Sequence, residues 1–142
     1  CEKAGINPDQ IGMVITNCCT PSQTTPGESQ RIGKALGIKR AKAFDVFSAC
    51  PAFALHVDFI NNHKEETLPD YILCISTATL TQKVDYSDRT DGAIWGDGAA
   101  AYILSPSKAG KLAIHSASFT ADKLYSESHD FNLAWVSVEA VC

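Results

Sequence analysis

The stretch Ala43-Phe-Asp-Val-Phe-Ser-Ala-Cys-Pro-Ala-Phe53 joins a short apolar segment to the start of a second one. Residues 43–47 have the apolar and aromatic character of a buried strand. Pro51 suits the first turn of a helix over residues 51–63, because a proline there lacks only an N–H that has no helical partner. That helix is apolar on nearly every side, so we expect it to be buried. The stretch predicts a strand–turn–helix unit with a cysteine at the turn.

Cys50 stands just before this helix, and the small residues Ala49 and Ala52 leave room beside it. Unpaired N–H groups and the dipole at a helix N-terminus favour the thiolate form of a cysteine. A thiolate is the nucleophile that acyl transfer needs, and a strand-to-helix turn aims it at a cleft. The alternative is a buried structural cysteine, and the turn alone does not separate the two interpretations.

No histidine close in sequence completes such a site. His56 and His63 lie about 240° and about 220° around the helix from Cys50, so neither faces the thiol. We expect both on the more polar side of the helix or at its end. His115 and His129 lie in later segments, where spacing gives no position. The general base is therefore not identified.

Apolar strands and helices alternate along the chain. Residues 11–17 and 71–75 are near-continuous apolar runs, and residues 28–36 predict a helix between them. Such strands indicate a parallel sheet covered on both faces, which places the chain in the α/β class. The apolar face of the helix is predicted to consist of Ile32, Ala35 and Leu36.

The second half of the chain has a weaker pattern. Residues 79–91 are polar and predict an excursion over the surface. Residues 99–104 and 112–119 predict a pair of strands with residues 106–110 as the turn between them, and residues 135–141 are compatible with a further strand.

Length and composition exclude several classes of function. The chain has 142 residues, which suits one domain, and its net charge of −4 lacks the basic excess of a nucleic-acid-binding protein. No apolar run approaches the ~20 residues of a membrane-spanning helix. The six cysteines lack the paired spacing of a zinc site, and with no secretory signal we expect reduced thiols in the cytoplasm.

The first residues of the chain have the sequence pattern of the end of a helix. Residues 1–5 lack an initiator Met and read as the last turn of a helix closed by Gly5. We therefore expect the chain to be a fragment of a longer protein.

Four segments together resemble β-ketoacyl-acyl-carrier-protein synthase III, a family of the thiolase superfamily. The resemblance covers roughly residues 4–106, and the order and spacing of its motifs make it specific. The motifs are Thr20-Pro21, Ala43–Phe53, Asp85-Tyr-Ser-Asp-Arg-Thr-Asp-Gly92 and Trp95-Gly-Asp-Gly-Ala-Ala-Ala-Tyr-Ile-Leu104.

The resemblance implies a reaction at Cys50. An acyl-CoA substrate would acylate this thiol, with the Cys50 N–H as half of an oxyanion hole. A carbanion formed by decarboxylating a malonyl thioester would then attack the acyl group. No permanently bound cofactor is implied. Two alternatives stay open: another thiolase-fold acyltransferase, or a non-catalytic scaffold half.

Two further residues take roles from the resemblance. Arg89 matches the arginine that contacts the adenine nucleotide end of coenzyme A, and the alternative for it is a surface ion pair with Asp88 or Asp91. The loop 20–27 matches a segment that crosses a homodimer interface and walls the partner's acyl pocket. Thr25 stands there where many relatives carry an aromatic residue, so the acyl-chain preference is open.

The resemblance also implies what lies outside these residues. Residues 1–142 would form a partial N-terminal thiolase-like domain, a mixed sheet covered by helices that is one half of a pseudo-symmetric fold. The first strand, the catalytic His and Asn, and the basic surface for acyl carrier protein would lie elsewhere; His129 and Asn132 match no such motif. Ala52 replaces the family's usual glycine.

The segment Gly96-Asp-Gly98 superficially matches a dinucleotide-binding fingerprint. That fingerprint opens a helix, whereas this segment leads into the apolar residues 99–104, which predict a strand. We therefore expect a structural role for it, near the floor of the active site.

Overall fold

The computed structural model describes residues 1–90, 92–120 and 135–141. Six strands and two α-helices make up the regular structure of these residues, with short 3-10 turns between them. In chain order they are β1 (Met13–Cys18), α1 (Glu28–Ala35), β2 (Lys42–Val46), α2 (Ala52–Asn61), β3 (Ile72–Thr79), β4 (Asp97–Leu104), β5 (Ala113–Thr120) and β6 (Trp135–Val141).

The main sheet has the strand order β2-β1-β3-β4. The strands β2, β1 and β3 are parallel, and β4 runs antiparallel to β3. Because β1 and β3 are central, side chains on both of their faces are buried, which explains their near-continuous apolar sequences. The sheet is therefore mixed, as the resemblance implied.

One helix covers each face of this sheet. Ile15 and Cys74 on one face pack with Ile60 of α2. Val14 points to the opposite face, where Ile32 of α1 packs against its cluster. The alternation of side chains along a strand thus divides the core into two layers, one beneath each helix.

The predicted pairing of residues 99–104 with 112–119 is wrong. Strand β4 pairs with β3, with Ile72 opposite Leu104 and Thr79 opposite Asp97. Strand β5 instead pairs with β6 in a separate two-stranded sheet. The buried strand β3 needs a partner on both edges, and β4 fills the edge that β1 leaves open. The strand at 135–141 is confirmed.

The buried face predicted for α1 is right for Ile32, which packs against the core, and wrong for Ala35 and Leu36, which are exposed. Ser29 and Gly33 are the buried residues of this helix, whereas Leu36 is 41% exposed. Small residues let the helix axis approach the sheet closely: a Cβ at Gly33 would lie 4.0 Å from Cγ2 of Val14. A pattern of large apolar residues does not reveal a contact made by small ones.

Helix α2 is less enclosed than its sequence predicts. It buries one face against the sheet, but Phe53 is 44% exposed. The turn at the start of the chain agrees with expectation, since Gly5 closes the 3-10 turn Glu2–Ala4 with a left-handed φ of 67°. Of the helices in the described ranges, none has the length and apolar character needed to cross a bilayer.

Candidate active site

The carboxyl ends of three parallel strands meet at one edge of the main sheet. Strand β1 ends at Cys18, β2 at Val46 and β3 at Thr79. Asp97, the first residue of the antiparallel β4, lies opposite Thr79 at the same edge. This is the edge at which open α/β sheets bind their ligands. The turn that carries Cys50 leaves the sheet here.

The turn between β2 and α2 is strained immediately before the cysteine. Ala49 has a φ of 41°, in the left-handed region that residues with a Cβ rarely adopt. Such a conformation costs about 1–3 kcal/mol and persists only where its surroundings enforce it. Pro51 is the N-cap of α2, one residue earlier than the predicted first turn. Cys50 therefore sits between a left-handed residue and a helix cap.

Asn17 supplies the restraint on this turn. Its carboxamide Nδ2 donates a hydrogen bond of 3.2 Å to the carbonyl oxygen of Ala49. Its Oδ1 accepts a hydrogen bond of 2.7 Å from the N–H of Ser48. Asn17 is only 4% exposed, so its amide is fixed within the sheet. Two hydrogen bonds of about 0.5–1.5 kcal/mol each can offset the strain at Ala49.

Sequence reasoning missed Asn17. The available signal was a polar amide at the carboxyl end of an otherwise apolar strand, in the run Met-Val-Ile-Thr-Asn17. A buried amide in such a position requires partners. The chain does not reveal from spacing alone that those partners lie more than thirty residues away.

The thiol of Cys50 is exposed. The alternative of a buried structural cysteine is therefore wrong for Cys50, although it fits Cys18 and Cys74, which are buried. Burial raises the pKa of the Cys74 thiol to about 12. All five cysteines for which the structure gives a side-chain environment are free thiols: Cys1, Cys18, Cys19, Cys50 and Cys74.

Two of the grooves in the described part of the chain are lined by residues other than Cys50. One, of about 430 Å³, lies between α1 and the sheet and is lined by Gly33 and Val14. The other, of about 400 Å³, lies near Glu66. Cys50 lines neither of these two grooves.

The loop that carries Thr25 is exposed but held at both ends. The Oγ1 of Thr20 accepts a hydrogen bond of 2.7 Å from the N–H of Thr79, which ties the loop to the end of β3. At the other end, Oε1 of Glu28 accepts hydrogen bonds from the N–H and hydroxyl of Ser22. The Ser22 N–H is the largest cause of a lowered pKa at Glu28. Thr25 itself lies on the exposed part of the loop.

Arg89 is exposed in the polar segment after β3. The carboxylate of Asp88 accepts hydrogen bonds from the N–H and hydroxyl of Thr90, and these bonds lower its pKa. The salt bridges of the described residues do not include one between Arg89 and Asp88. Asp91, the other expected partner, lies outside the described residues. Within the described ranges, no hydrogen bond joins Arg89, Thr25 and Cys50 to one another.

The Gly-Asp-Gly motif has a structural contact. The carboxylate of Asp97 accepts hydrogen bonds from the Thr81 N–H at 2.8 Å and from its hydroxyl at 2.7 Å. The Thr81 N–H contributes most to a lowered pKa of Asp97. Because Gly98 lies within strand β4 and opens no helix, the dinucleotide interpretation is excluded here.

The expectation for His56 is wrong, whereas His63 is exposed near the end of α2 as predicted. His56 is 1% exposed, and its Nδ1 shares a hydrogen bond of 2.6 Å with the Tyr102 hydroxyl of β4. Burial lowers the pKa of His56 to about 4. A partner on a distant strand makes the buried position possible. His129 and Asn132 lie outside the described residues.

Comparison with known proteins places these features in a family. Residues 44–123, more than half of the chain, match the family described as 3-oxoacyl-(acyl-carrier-protein) synthase III. The β-ketoacyl-(acyl-carrier-protein) synthase III of Rhizorhabdus wittichii is 31% identical over 126 residues, which are 89% of this chain and 40% of that protein. The corresponding protein of Citrobacter koseri is 34% identical over 89% of this chain and 39% of its own length.

Solved structures give the same relationship. The crystal structure of 3-oxoacyl-(acyl-carrier-protein) synthase III from Aquifex aeolicus has a TM-score of 0.76 and 26% identity, covering 85% of this chain and 39% of that one. A priming β-ketosynthase of a polyketide biosynthetic pathway has a TM-score of 0.75 and 29% identity, covering 85% of this chain and 36% of that one.

The chain spans about two-fifths of the length of these curated relatives. Within that span the matched region contains the Cys50 turn, the following helix and the Gly-Asp-Gly strand. The chain thus belongs to the 3-oxoacyl-(acyl-carrier-protein) synthase III family of thiolase-fold condensing enzymes.

Proposed function

We propose that Cys50 accepts an acyl group from acyl-CoA as the first step of a decarboxylative condensation in fatty-acid or polyketide biosynthesis. The observation that carries this proposal is an exposed cysteine on a strained turn, at the carboxyl edge of a parallel sheet, in a chain of this family. Neither buried cysteine combines these properties.

The proposed reaction has two steps. The Cys50 thiolate attacks the thioester carbonyl carbon, the carbonyl electrons move to oxygen, and collapse of this oxyanion expels the thiolate of coenzyme A. A malonyl thioester then loses CO2, and the resulting carbanion attacks the acyl-cysteine. The Cys50 thiolate leaves, and a 3-oxoacyl thioester is the product. No resident cofactor takes part in either step.

Other residues have supporting roles in the proposal. Arg89, exposed beyond β3, contacts the nucleotide end of the acyl-CoA. Thr25, exposed on a loop anchored at both ends, lines an acyl pocket across a homodimer interface. Residues 1–142 contribute part of an N-terminal domain, and the catalytic His and Asn come from a second half. The family name supports acyl carrier protein as the partner that delivers the malonyl group, and the free thiols of the described residues fit a cytoplasmic location.

Mass spectrometry of the full-length protein after incubation with acyl-CoA tests the acyl transfer. We expect one acyl adduct, located on Cys50, that is lost in Cys50→Ala and retained in Cys19→Ala, the matched control on a half-buried thiol. Absence of an adduct in the protein with Cys50 intact would contradict the proposal and favour a scaffold role.

Labelled malonyl thioester tests the condensation. The acylated protein should release labelled CO2 and lose its adduct. An adduct that persists without CO2 release would favour a different thiolase-fold acyltransferase.

A further inference from the structure

The peptide unit between Ala49 and Cys50 is held from its carbonyl side. Nδ2 of Asn17 donates to the Ala49 oxygen, and Oδ1 of the same side chain accepts from the Ser48 N–H. Asn17 is buried at the end of β1 and has little freedom to follow a movement of the turn. The backbone on both sides of the left-handed Ala49 is thus anchored to one amide.

This contact fixes the direction of the Cys50 N–H. The peptide bond is planar, and the only cis peptide bond in the described residues is Thr25–Pro26, so the Ala49–Cys50 bond is trans. In a trans peptide the N–H points opposite to the C=O. Since the carbonyl of Ala49 points at the buried Asn17, the Cys50 N–H points away from it. Among the described residues this N–H donates no hydrogen bond.

We propose that Asn17 is a positioning residue for acyl transfer, which orients the Cys50 N–H toward the oxyanion by holding the opposite side of the same peptide unit. The inference rests on the proposed acylation of Cys50. Asn17 touches neither the substrate nor the thiol in this mechanism. Its effect is to prevent the peptide from rotating when negative charge develops on the thioester oxygen.

The substitution Asn17→Asp separates the two hydrogen bonds. A carboxylate still accepts from the Ser48 N–H, but it has no donor for the Ala49 carbonyl. The peptide unit loses its restraint, whereas the cysteine stays at the same place in the chain. Asn17→Ser is the second variant, because a hydroxyl is too short to bridge both groups.

Two rates measured on the full-length protein test the inference. One is the single-turnover transfer of an acyl group from acyl-CoA, which passes through an oxyanion. The other is alkylation of Cys50 by iodoacetamide, a displacement that forms no oxyanion. We expect Asn17→Asp to slow acyl transfer by roughly 10- to 100-fold while alkylation changes by less than about threefold. Both rates are expressed per folded molecule, with the folded fraction of each variant measured by urea unfolding, because an unfolded chain is still alkylated but takes no acyl group.

Thr16→Val is the matched control. Thr16 precedes Asn17 on β1, is fully buried, and its hydroxyl has no partner among the described residues. This variant should keep the wild-type ratio. If both Asn17 variants keep the wild-type ratio of acyl transfer to alkylation, including by an equal fall of both rates, the inference about Asn17 is wrong. The proposed acylation of Cys50 is not affected by that result. Failure of the wild-type protein to take an acyl group would overturn the proposed function and this inference with it.

Discussion

At the scale of single residues, Cys50 and Cys74 show how position decides thiol chemistry. Cys74 is fully buried inside β3, and burial raises its pKa to about 12. It stays protonated at neutral pH and is a poor nucleophile. Cys50 lies past the end of its strand, where the chain leaves the sheet and the thiol is exposed. A cysteine side chain therefore packs in the core at position 74 and is a candidate nucleophile at position 50.

Arg89 gives a prediction at this scale. In the full-length protein we expect Arg89→Ala to raise KM for acyl-CoA by about 5- to 30-fold and to leave kcat within about twofold. The proposed contact is with the nucleotide end of the substrate, far from the reacting thioester, so its loss weakens ground state and transition state equally. Steady-state kinetics with varied acyl-CoA measure both constants.

An acyl-pantetheine substrate is the control for Arg89, because it lacks the nucleotide; both proteins should use it equally well. Lys83→Ala, a change of another exposed cation in the same segment, should leave KM for acyl-CoA unchanged. Equal KM values for wild type and Arg89→Ala would instead support a purely surface role for Arg89.

At the scale of elements, the N-terminus of helix α1 is capped by a side chain of strand β2. The carboxylate of Asp45 on β2 accepts hydrogen bonds from the N–H groups of Glu28 at 2.7 Å and Ser29 at 2.8 Å. These are two of the N–H groups that a helix leaves unpaired at its start. A Cβ at Gly27 would overlap Oδ2 of Asp45, so a larger residue there would displace the carboxylate from the helix start. The helix and the strand that leads to Cys50 are thus joined by one side chain.

Removal of this cap should loosen α1. We expect Asp45→Ala to cost about 1–2 kcal/mol, the upper part of the range for loss of a helix cap, because two N–H groups lose their acceptor. Native-state hydrogen exchange of the full-length protein should show amides of α1 exchanging about 5- to 30-fold faster, with amides of β3 as the internal reference.

Asp9→Ala is the control for this prediction. Asp9 is an exposed carboxylate whose only ion pair in the described residues, to Lys39, spans 3.8 Å. Exposed pairs of this kind contribute little, so exchange in α1 should not change. Equal exchange rates in Asp45→Ala and wild type would show that the cap does not stabilise the helix.

The sequence predicted the elements of the main sheet better than their partners. Local patterns identified β1, β2, β3 and both helices, because continuous apolar runs are properties of neighbouring residues. The pairing of β4 with β3 depends on which sheet edge remains open, which no local pattern contains. Likewise, Cys50 was identified from its own turn and from a family resemblance. The roles of Asn17 and Asp45 were not predicted, and the position of His56 was predicted wrongly, because the partners of all three residues lie on other elements.

At the scale of the whole molecule, the pair His56–Tyr102 connects α2 to β4 across one face of the sheet. Burial lowers the pKa of His56 to about 4, against about 6.5 in an unfolded chain. Between these values the unfolded state binds a proton that the folded state does not. Stability therefore falls as the pH drops from 6.5 towards 4, and this contribution does not change further below 4.

Because of His56, we expect the free energy of unfolding to be about 2 kcal/mol lower at pH 5 than at pH 7. Urea unfolding of the full-length protein at the two pH values measures the difference. In His56→Phe the fall in unfolding free energy should be smaller by about that amount, whereas His63→Gln, which changes an exposed histidine, should behave as wild type. The same pH dependence in all three proteins would mean that His56 does not titrate differently on folding.

The parallel pairing of β1 with β2 has a consequence for the order in which the newly synthesised chain folds. Asn17 and Ser48 are separated by a crossover through α1, so the turn beneath the cysteine forms only after this long-range closure is complete. A nascent polypeptide emerging from the ribosome therefore carries an ordinary, unaligned sulfhydryl at position 50. The geometry that the proposed acyl transfer requires is therefore acquired late, together with the architecture that supports it.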